Sequence, residues 1–210
     1  MPLRMSSSKT NFAMWDERYA TDGFFYGDEP NDFLRAQASR IAQGGKVLCL
    51  AEGEGRNAVY LAGKGFAVTA VDGSQAGLTK LTKFAAERGV SVEVTCADLA
   101  EYDLGQNKWD AIVSVWCHLP PALRADVHKR CVAALKPGGF LILESYTPRQ
   151  LEYKTGGPPV AEMMMTLGGL RSELDGLEFL HEADIDRVIH EGKGHEGKSA
   201  VVQLVARRVG

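Results

Sequence analysis

The sequence predicts an α/β protein: a Rossmann-like, doubly wound, mostly parallel sheet of seven strands that ends in an antiparallel hairpin. Three observations carry this. Short apolar runs alternate with segments of helical spacing along most of the chain, the pattern of a parallel sheet covered by helices on both faces. At residues 47–58 the chain reads VLCLAEGEGRNA, a strand that passes through glycines into a helix. The last two strand-like runs are separated by a short polar stretch punctuated by Gly192, Gly194 and Gly197. A crossover helix does not fit there, so that connection is expected to be a hairpin.

The elements follow in order. Met1 to Thr10 is polar, with two basic side chains and no apolar run, and reads as a flexible leader rather than a signal peptide. Residues 1–30 together are taken as a leader or lid segment, and 31–210 as a single domain. A first helix is expected over Asn31 to Ala42, capped by Asn31 or Asp32 after Pro30 and stopped by Gly44-Gly45. Strands are expected at Lys46–Ala51, Ala67–Asp72, Val92–Cys96, Trp109–Trp116, Phe140–Ser145, Glu178–Asp186 and Ser199–Arg208. Between them Arg56–Lys64, Ser74–Arg88 and Pro120–Leu135 have helical spacing, the last with apolar residues at Leu123, Val127, Cys131, Val132 and Leu135.

Composition narrows the function. A chain of 210 residues, 45% hydrophobic and 24% charged, suits one compact domain with a real core. Its longest apolar stretches are strand-sized, well below the roughly 18 residues of a membrane helix. The net charge is -3, with no basic run beyond Arg207-Arg208, which favours a small-molecule substrate over a nucleic acid. The four cysteines form no C-x-x-C pair and no zinc-like spacing with histidine. They read as reduced and mostly buried, as in a cytoplasmic protein, and no metal is expected.

The glycine loop is the strongest local signal. Gly53 and Gly55 remove Cβ atoms where the backbone must turn sharply and a ligand can approach, and the following helix offers free N–H groups. A plain tight turn is the alternative. Glu52 and Glu54 oppose a pyrophosphate but suit a ligand with a cationic aminoacyl end. Asp72 closes the next strand about 20 residues on, where a carboxylate accepts from ribose hydroxyls; it is equally placed to cap the next helix, a role open to Ser74. Asp98-Leu99 repeats the pattern after the third strand, where an adenine ring or plain solvent would meet it.

These residues, with the LKPGGFLI turn at 135–142, resemble the class I S-adenosylmethionine-dependent methyltransferases in order and spacing. Within that class, WDERY at 15–19, YGDEPN at 26–31 and CHLPP at 117–121 look like the tellurite-resistance and thiopurine methyltransferase-like branch. The resemblance implies S-adenosylmethionine as cofactor. It implies that Ala51, Gly53 and Gly55 line its methionine part, Asp72 its ribose, and Asp98 with Leu99 its adenine, with Trp116 beside the sulfonium. Glu52, Asn57, Gly73, Ser74, Trp15 and Tyr19 complete the candidate cofactor set. The chain departs from the class where Cys49 replaces a common Asp and Ala51 the first loop glycine. The acceptor is expected to be a small molecule such as a chalcogen oxyanion or a thiol.

Transfer from an activated sulfonium needs mainly alignment and exclusion of water. His118 is the candidate for positioning the substrate, or else it caps the Pro120 helix. Tyr26, Tyr146, Arg149 and Tyr153 are candidates for the acceptor side. Cys117 reads as packing, Met163-Met164-Met165 as core filling or an adaptable pocket, and Arg171 to Glu182 as a solvated surface. His190 and His195 have no metal partner at suitable spacing. Two rival readings are an NAD-dependent oxidoreductase, from the formal match of Gly53-x-Gly55-x-x-Ala58 to a dinucleotide fingerprint, and a non-enzymatic S-adenosylmethionine-binding regulatory module.

Overall fold

The computed structural model describes residues 8–210. In chain order the elements are α1 (Ser8–Tyr19), α2 (Asp32–Gln37, extended by a 3₁₀ turn at Ala38–Arg40), β1 (Lys46–Leu50), α3 (Arg56–Gly63), β2 (Ala67–Asp72), α4 (Gln75–Glu87), β3 (Glu93–Cys96), β4 (Trp109–Val115), α5 (Pro121–Ala134), β5 (Leu135–Tyr146), α6 (Gln150–Tyr153), α7 (Leu167–Glu173), β6 (Leu177–Glu191) and β7 (His195–Arg208).

The strands form one sheet in the order β3-β2-β1-β4-β5-β7-β6. β1 to β5 run parallel, and β7 enters antiparallel between β5 and β6. The order reverses between β1 and β4, so the crevice at their carboxyl ends is where such a sheet holds its ligand. Alternate residues of β1 serve opposite cores: Val47 and Cys49 pack with the α2, α3 and α4 side chains Leu34, Leu61 and Leu78. Leu48 and Leu50 pack with Val127 and Cys131 of α5 and Leu170 of α7. Burial on both faces explains why the strands read as continuous apolar runs.

All seven expected strands are present, and Asn31 caps α2 by accepting from the Leu34 amide. Three expectations need correction. The leader is helical from Ser8 on, because its Phe12, Asp16 and Tyr19 find partners on the domain; Met1–Ser7 lie outside the described residues. The hairpin strands run on through 187–198, since the polar side chains there alternate between solvent and a buried ionic cluster. The charges from 171 to 182 are not all solvated: Glu173 takes Arg124 at 2.9 Å and His128 at 2.7 Å, while Leu170 and Leu174 are buried.

The described cysteines are unpaired, with Cys49, Cys117 and Cys131 buried and Cys96 exposed. Met164 and Met165 fill core positions. Among the described residues no helix is long and apolar enough to cross a membrane.

Candidate active site

Two non-glycine residues with left-handed backbone mark the switch point: Ala51 after β1 (φ 49°) and Trp116 after β4 (φ 56°). Such geometry is costly for a residue with a Cβ and concentrates at functional sites. Between them the glycine loop turns through Gly53 (φ 59°) and Gly55 (φ 93°) into α3.

Asp72 organises the floor. Its carboxylate accepts from the Gly53 amide at 2.8 Å and the Ser74 amide at 2.7 Å, joining the loop to the start of α4. Burial raises its pKa, and those backbone N–H groups oppose the rise. Each oxygen keeps a further lone pair for a ligand hydroxyl. Ser74 caps α4 by accepting from the Gly77 amide and donates to Asp16 of α1 at 2.6 Å. Thus Asp72 tethers both loops, and Ser74 takes the cap.

The loop glutamates have structural partners. Glu52 accepts from the Asn57 and Ala58 amides at 2.9 and 2.8 Å, closing the first turn of α3, and burial pushes its pKa up to about 7. Glu54 is buried, pairs with Lys80 at 2.9 Å and accepts from the Phe25 amide at 2.8 Å. Asn57 accepts from the Asn31 amide at 2.9 Å, so its carbonyl faces the chain rather than the crevice. Asp98 accepts from Ala100 within its own turn, beside buried Leu99.

Helix α1 lies over this floor. The Tyr19 hydroxyl sits where a Cβ on Gly53 would be, 2.5 Å from that position, and its ring likewise crowds Gly77. Phe12 covers Gly73 in the same way. The absence of side chains at these three glycines therefore makes a cradle, which here receives the aromatic rings of α1.

A column of stacked rings continues the site. Trp15 stacks on Tyr19 at 5.7 Å; Tyr26 stacks on His195 at 4.6 Å, His195 on Trp116 at 4.8 Å, and Trp116 on Tyr146 at 4.5 Å. His118 lies parallel to Tyr146 at 5.7 Å. The Tyr146 hydroxyl meets His195 Nδ1 at 2.6 Å. Burial raises the Tyr146 pKa and drives that of His195 well down, so both are neutral at pH 7. Behind the column, Glu191 accepts from Trp116 Nε1 at 2.7 Å, from Arg56 at 2.5 Å and from Asn31 at 2.8 Å.

Of the candidates from the sequence, Trp15, Tyr19 and Trp116 on the cofactor side, Tyr26 and Tyr146 on the acceptor side and His118 lie together in this one cluster of rings. Arg149, exposed, and Tyr153, half-buried, lie apart, bound to Asp184 and Asp186 of β6. His118 does not cap α5; its Nδ1 is 3.2 Å from the Met163 carbonyl. His195, Glu191 and Arg56 were missed, since two of them come from a hairpin whose local sequence only signals a turn. The hairpin tip reaches the site because Gly192 and Gly194 let it press on Phe25 and Tyr26, with the Lys193 amide donating to the Phe25 carbonyl at 2.8 Å.

Comparisons with known proteins agree with this architecture. The profile of a family described as a methyltransferase domain matches residues 47–139. No curated protein matches the chain. Among solved structures, the chain is similar to one described for the conversion of a disulfide bond into a thioacetal group during echinomycin biosynthesis: 20% identity, 96% of this chain and 91% of that one, TM-score 0.74. It is also similar to TehB from Haemophilus influenzae, at 20% identity over 94% of this chain and 66% of that one, TM-score 0.68. A third is the N-methyltransferase NodS from Bradyrhizobium japonicum WM9 in complex with S-adenosyl-L-homocysteine: 13% identity, 94% and 97% covered, TM-score 0.67. The matched residues 47–139 lie within a seven-stranded sheet whose fold the chain shares with these solved structures.

Proposed function

We propose that the protein transfers a methyl group from S-adenosylmethionine to a small-molecule acceptor, with the cofactor held at the carboxyl ends of β1, β2 and β4. The observation that carries this is the Asp72 carboxylate, held by the Gly53 and Ser74 amides at the end of β2 and facing a glycine cradle lined by aromatic rings. The donor set fits the cofactor. Asp72 offers two acceptors for a ribose diol, Asp98 and Leu99 an acceptor and an apolar cover for adenine, and Trp116 a π face suited to a sulfonium.

When bound, the cofactor supplies an activated methyl group. The chain's own residues orient it and keep water out. Tyr19 and Phe12 occupy the cradle in this closed arrangement, so ligand entry requires α1 to shift, and residues 1–30 act as the lid. Asp16 on Ser74 and Glu54 on the Phe25 amide are the contacts by which the lid is held. The acceptor lies beyond Trp116, against Tyr26, Tyr146 and His118. A chalcogen oxyanion and a thiol are the two acceptor classes that the motif resemblance supports. Nicotinamide dinucleotides are disfavoured, because Lys80 and Arg56 beside the loop are already paired with Glu54 and Glu191 and leave a pyrophosphate without a counter-charge.

Isothermal titration with S-adenosylmethionine, S-adenosylhomocysteine and NAD tests the reading. Binding of both sulfur compounds without NAD, abolished by Asp72→Ala, is the expected result; binding of NAD alone would overturn it. Binding without methyl transfer to any of a broad panel of thiols, selenols, oxyanions and amines would favour a regulatory module instead.

A further inference from the structure

His118 leaves β4 two residues after Trp116 and is enclosed by β5, α5 and the 161–166 loop. Its Nδ1 is 3.2 Å from the Met163 carbonyl oxygen and 3.4 Å from Ser145 Oγ. A carbonyl only accepts, so Nδ1 carries the hydrogen and donates it. Nε2 is then a bare lone pair, and it is buried without any hydrogen-bond partner. An unsatisfied acceptor beside a ligand site needs an explanation, and a ligand hydrogen supplies one.

The charges around it point the same way. Facing His118 are Ser145 and Tyr146 from β5, His195 from β7 and Arg124 from α5. Burial holds the imidazole neutral, its pKa lowered to about 4, with the Arg124 charge acting in the same direction. Arg124 itself is spent on Glu173, and on the Glu162 and Met164 carbonyls. Arg56 is paired with Glu191, and Arg187 with Glu144. Arg18 lies at the far end of the ring column, bonded to the Tyr26 hydroxyl and set over the Trp15 ring. Among these residues the His118 end of the column offers an anion no uncommitted cation.

We infer that His118 Nε2 is the hydrogen-bond partner of the methyl acceptor, which binds as a neutral thiol or hydroxyl and not as an oxyanion. This rests on the methyltransferase reading above and selects among its acceptor classes. In the transfer, the acceptor atom's lone pair forms the bond to the methyl carbon as the carbon–sulfur bond breaks and leaves its electrons on sulfur. The acceptor's proton passes to Nε2, giving an imidazolium that later releases it to water.

Two measurements test this. With ¹⁵N-labelled histidine, His118 should show the neutral Nδ1–H tautomer throughout pH 5.5 to 8; an Nε2–H tautomer, or protonation near the ordinary histidine value of about 6.5, would overturn the inference. Formation of S-adenosylhomocysteine is then followed with dithiothreitol, selenite and tellurite as probes. Turnover of dithiothreitol but not of the oxyanions is expected. His118→Ala should lower its kcat/KM by at least about a hundredfold at unchanged cofactor affinity, with part of the loss restored in His118→Gln. Faster turnover of selenite or tellurite, or full activity in His118→Ala, would overturn it. Failure to bind S-adenosylmethionine would instead remove the methyltransferase reading and leave the tautomer result standing.

Discussion

Trp116 donates its indole N–H to Glu191 across 2.7 Å, joining the exit of β4 to the tip of the β6–β7 hairpin. The same carboxylate takes Arg56 from the first turn of α3 at 2.5 Å, so one buried acid fixes the glycine-loop helix and the switch-point tryptophan together. Removing it leaves the Arg56 guanidinium buried without a counter-charge. Glu191→Ala should therefore destabilise the fold by about 3 to 5 kcal/mol. Glu191→Gln keeps an acceptor for the indole and should cost clearly less. Urea unfolding of the two variants checks the ranking; equal losses would mean that the whole loss comes from the charge and that the retained Trp116 hydrogen bond contributes nothing.

Gly55 separates conformational from steric cost. Its φ is +93°, and a Cβ there would lie 2.8 Å from Leu81 Cβ, with the rest of that side chain crowded as well. Gly44 also has positive φ (+71°), but nothing lies within 4 Å of its Cβ position. Gly44→Ala should cost only the left-handed penalty of about 1 to 2 kcal/mol. Gly55→Ala should cost roughly 2 kcal/mol more, because α4 must move to admit the methyl group. Denaturant midpoints of the two variants decide whether the Leu81 contact is as rigid as its burial suggests.

What the sequence made legible follows from how local each signal is. Buried parallel strands are written as short apolar runs, and Asp72 stands at a fixed distance from the glycines because β1, α3 and β2 are consecutive. Asn31 and Ser74 cap helices through neighbouring amides, so their roles are also local. Glu191 and His195 were illegible for the opposite reason. Their partners Trp116, Arg56 and Tyr26 lie far away in the chain, and only the order β5-β7-β6 folds the hairpin tip back over the crevice. Glu54 shows a third case: its residue type suggested a ligand charge, while Lys80 and the Phe25 amide already occupy it.

Lys80 straps the lid. Its ammonium binds the Thr21 carbonyl at 2.6 Å, the Gly23 carbonyl at 2.5 Å and Glu54 at 2.9 Å. Lys80→Met removes all three and strands a buried carboxylate. Hydrogen exchange over residues 12–26 should accelerate at least tenfold, with β1 and β4 amides unaffected because their ladders lie beneath the lid. Acceleration spread equally over β1 and β4 would show that the strap supports the whole domain instead.

Glu173 gives a pH dependence whose sign is fixed. Burial alone would raise its pKa, but hydrogen bonds from His128 and Arg124 outweigh it and hold the carboxyl at about 2, below the ordinary 4.5. A depressed carboxylate contributes stability that is full above the unfolded value and is lost as pH falls toward the folded one. Glu173→Gln should thus be less stable than the parent by about 2 to 3 kcal/mol at pH 7, with the difference shrinking between pH 4.5 and pH 2. Thermal melts across that window check it; a constant difference would assign the loss to packing.

Ala51 stands where the resembled class carries its first loop glycine, and it has taken up the glycine's conformation, with φ at 49°. An L side chain in that region costs about 1 to 2 kcal/mol. Replacing it with glycine relieves the strain but loosens the unfolded chain by about 0.5 to 1 kcal/mol. The first effect is the larger, so Ala51→Gly should raise the urea midpoint by the equivalent of at most about 1 kcal/mol. The Ala51 methyl packs against the core beneath β1, which works against the gain. A lower midpoint would mean that this packing outweighs the strain, and that the chain keeps alanine at the switch point for its contact with the core.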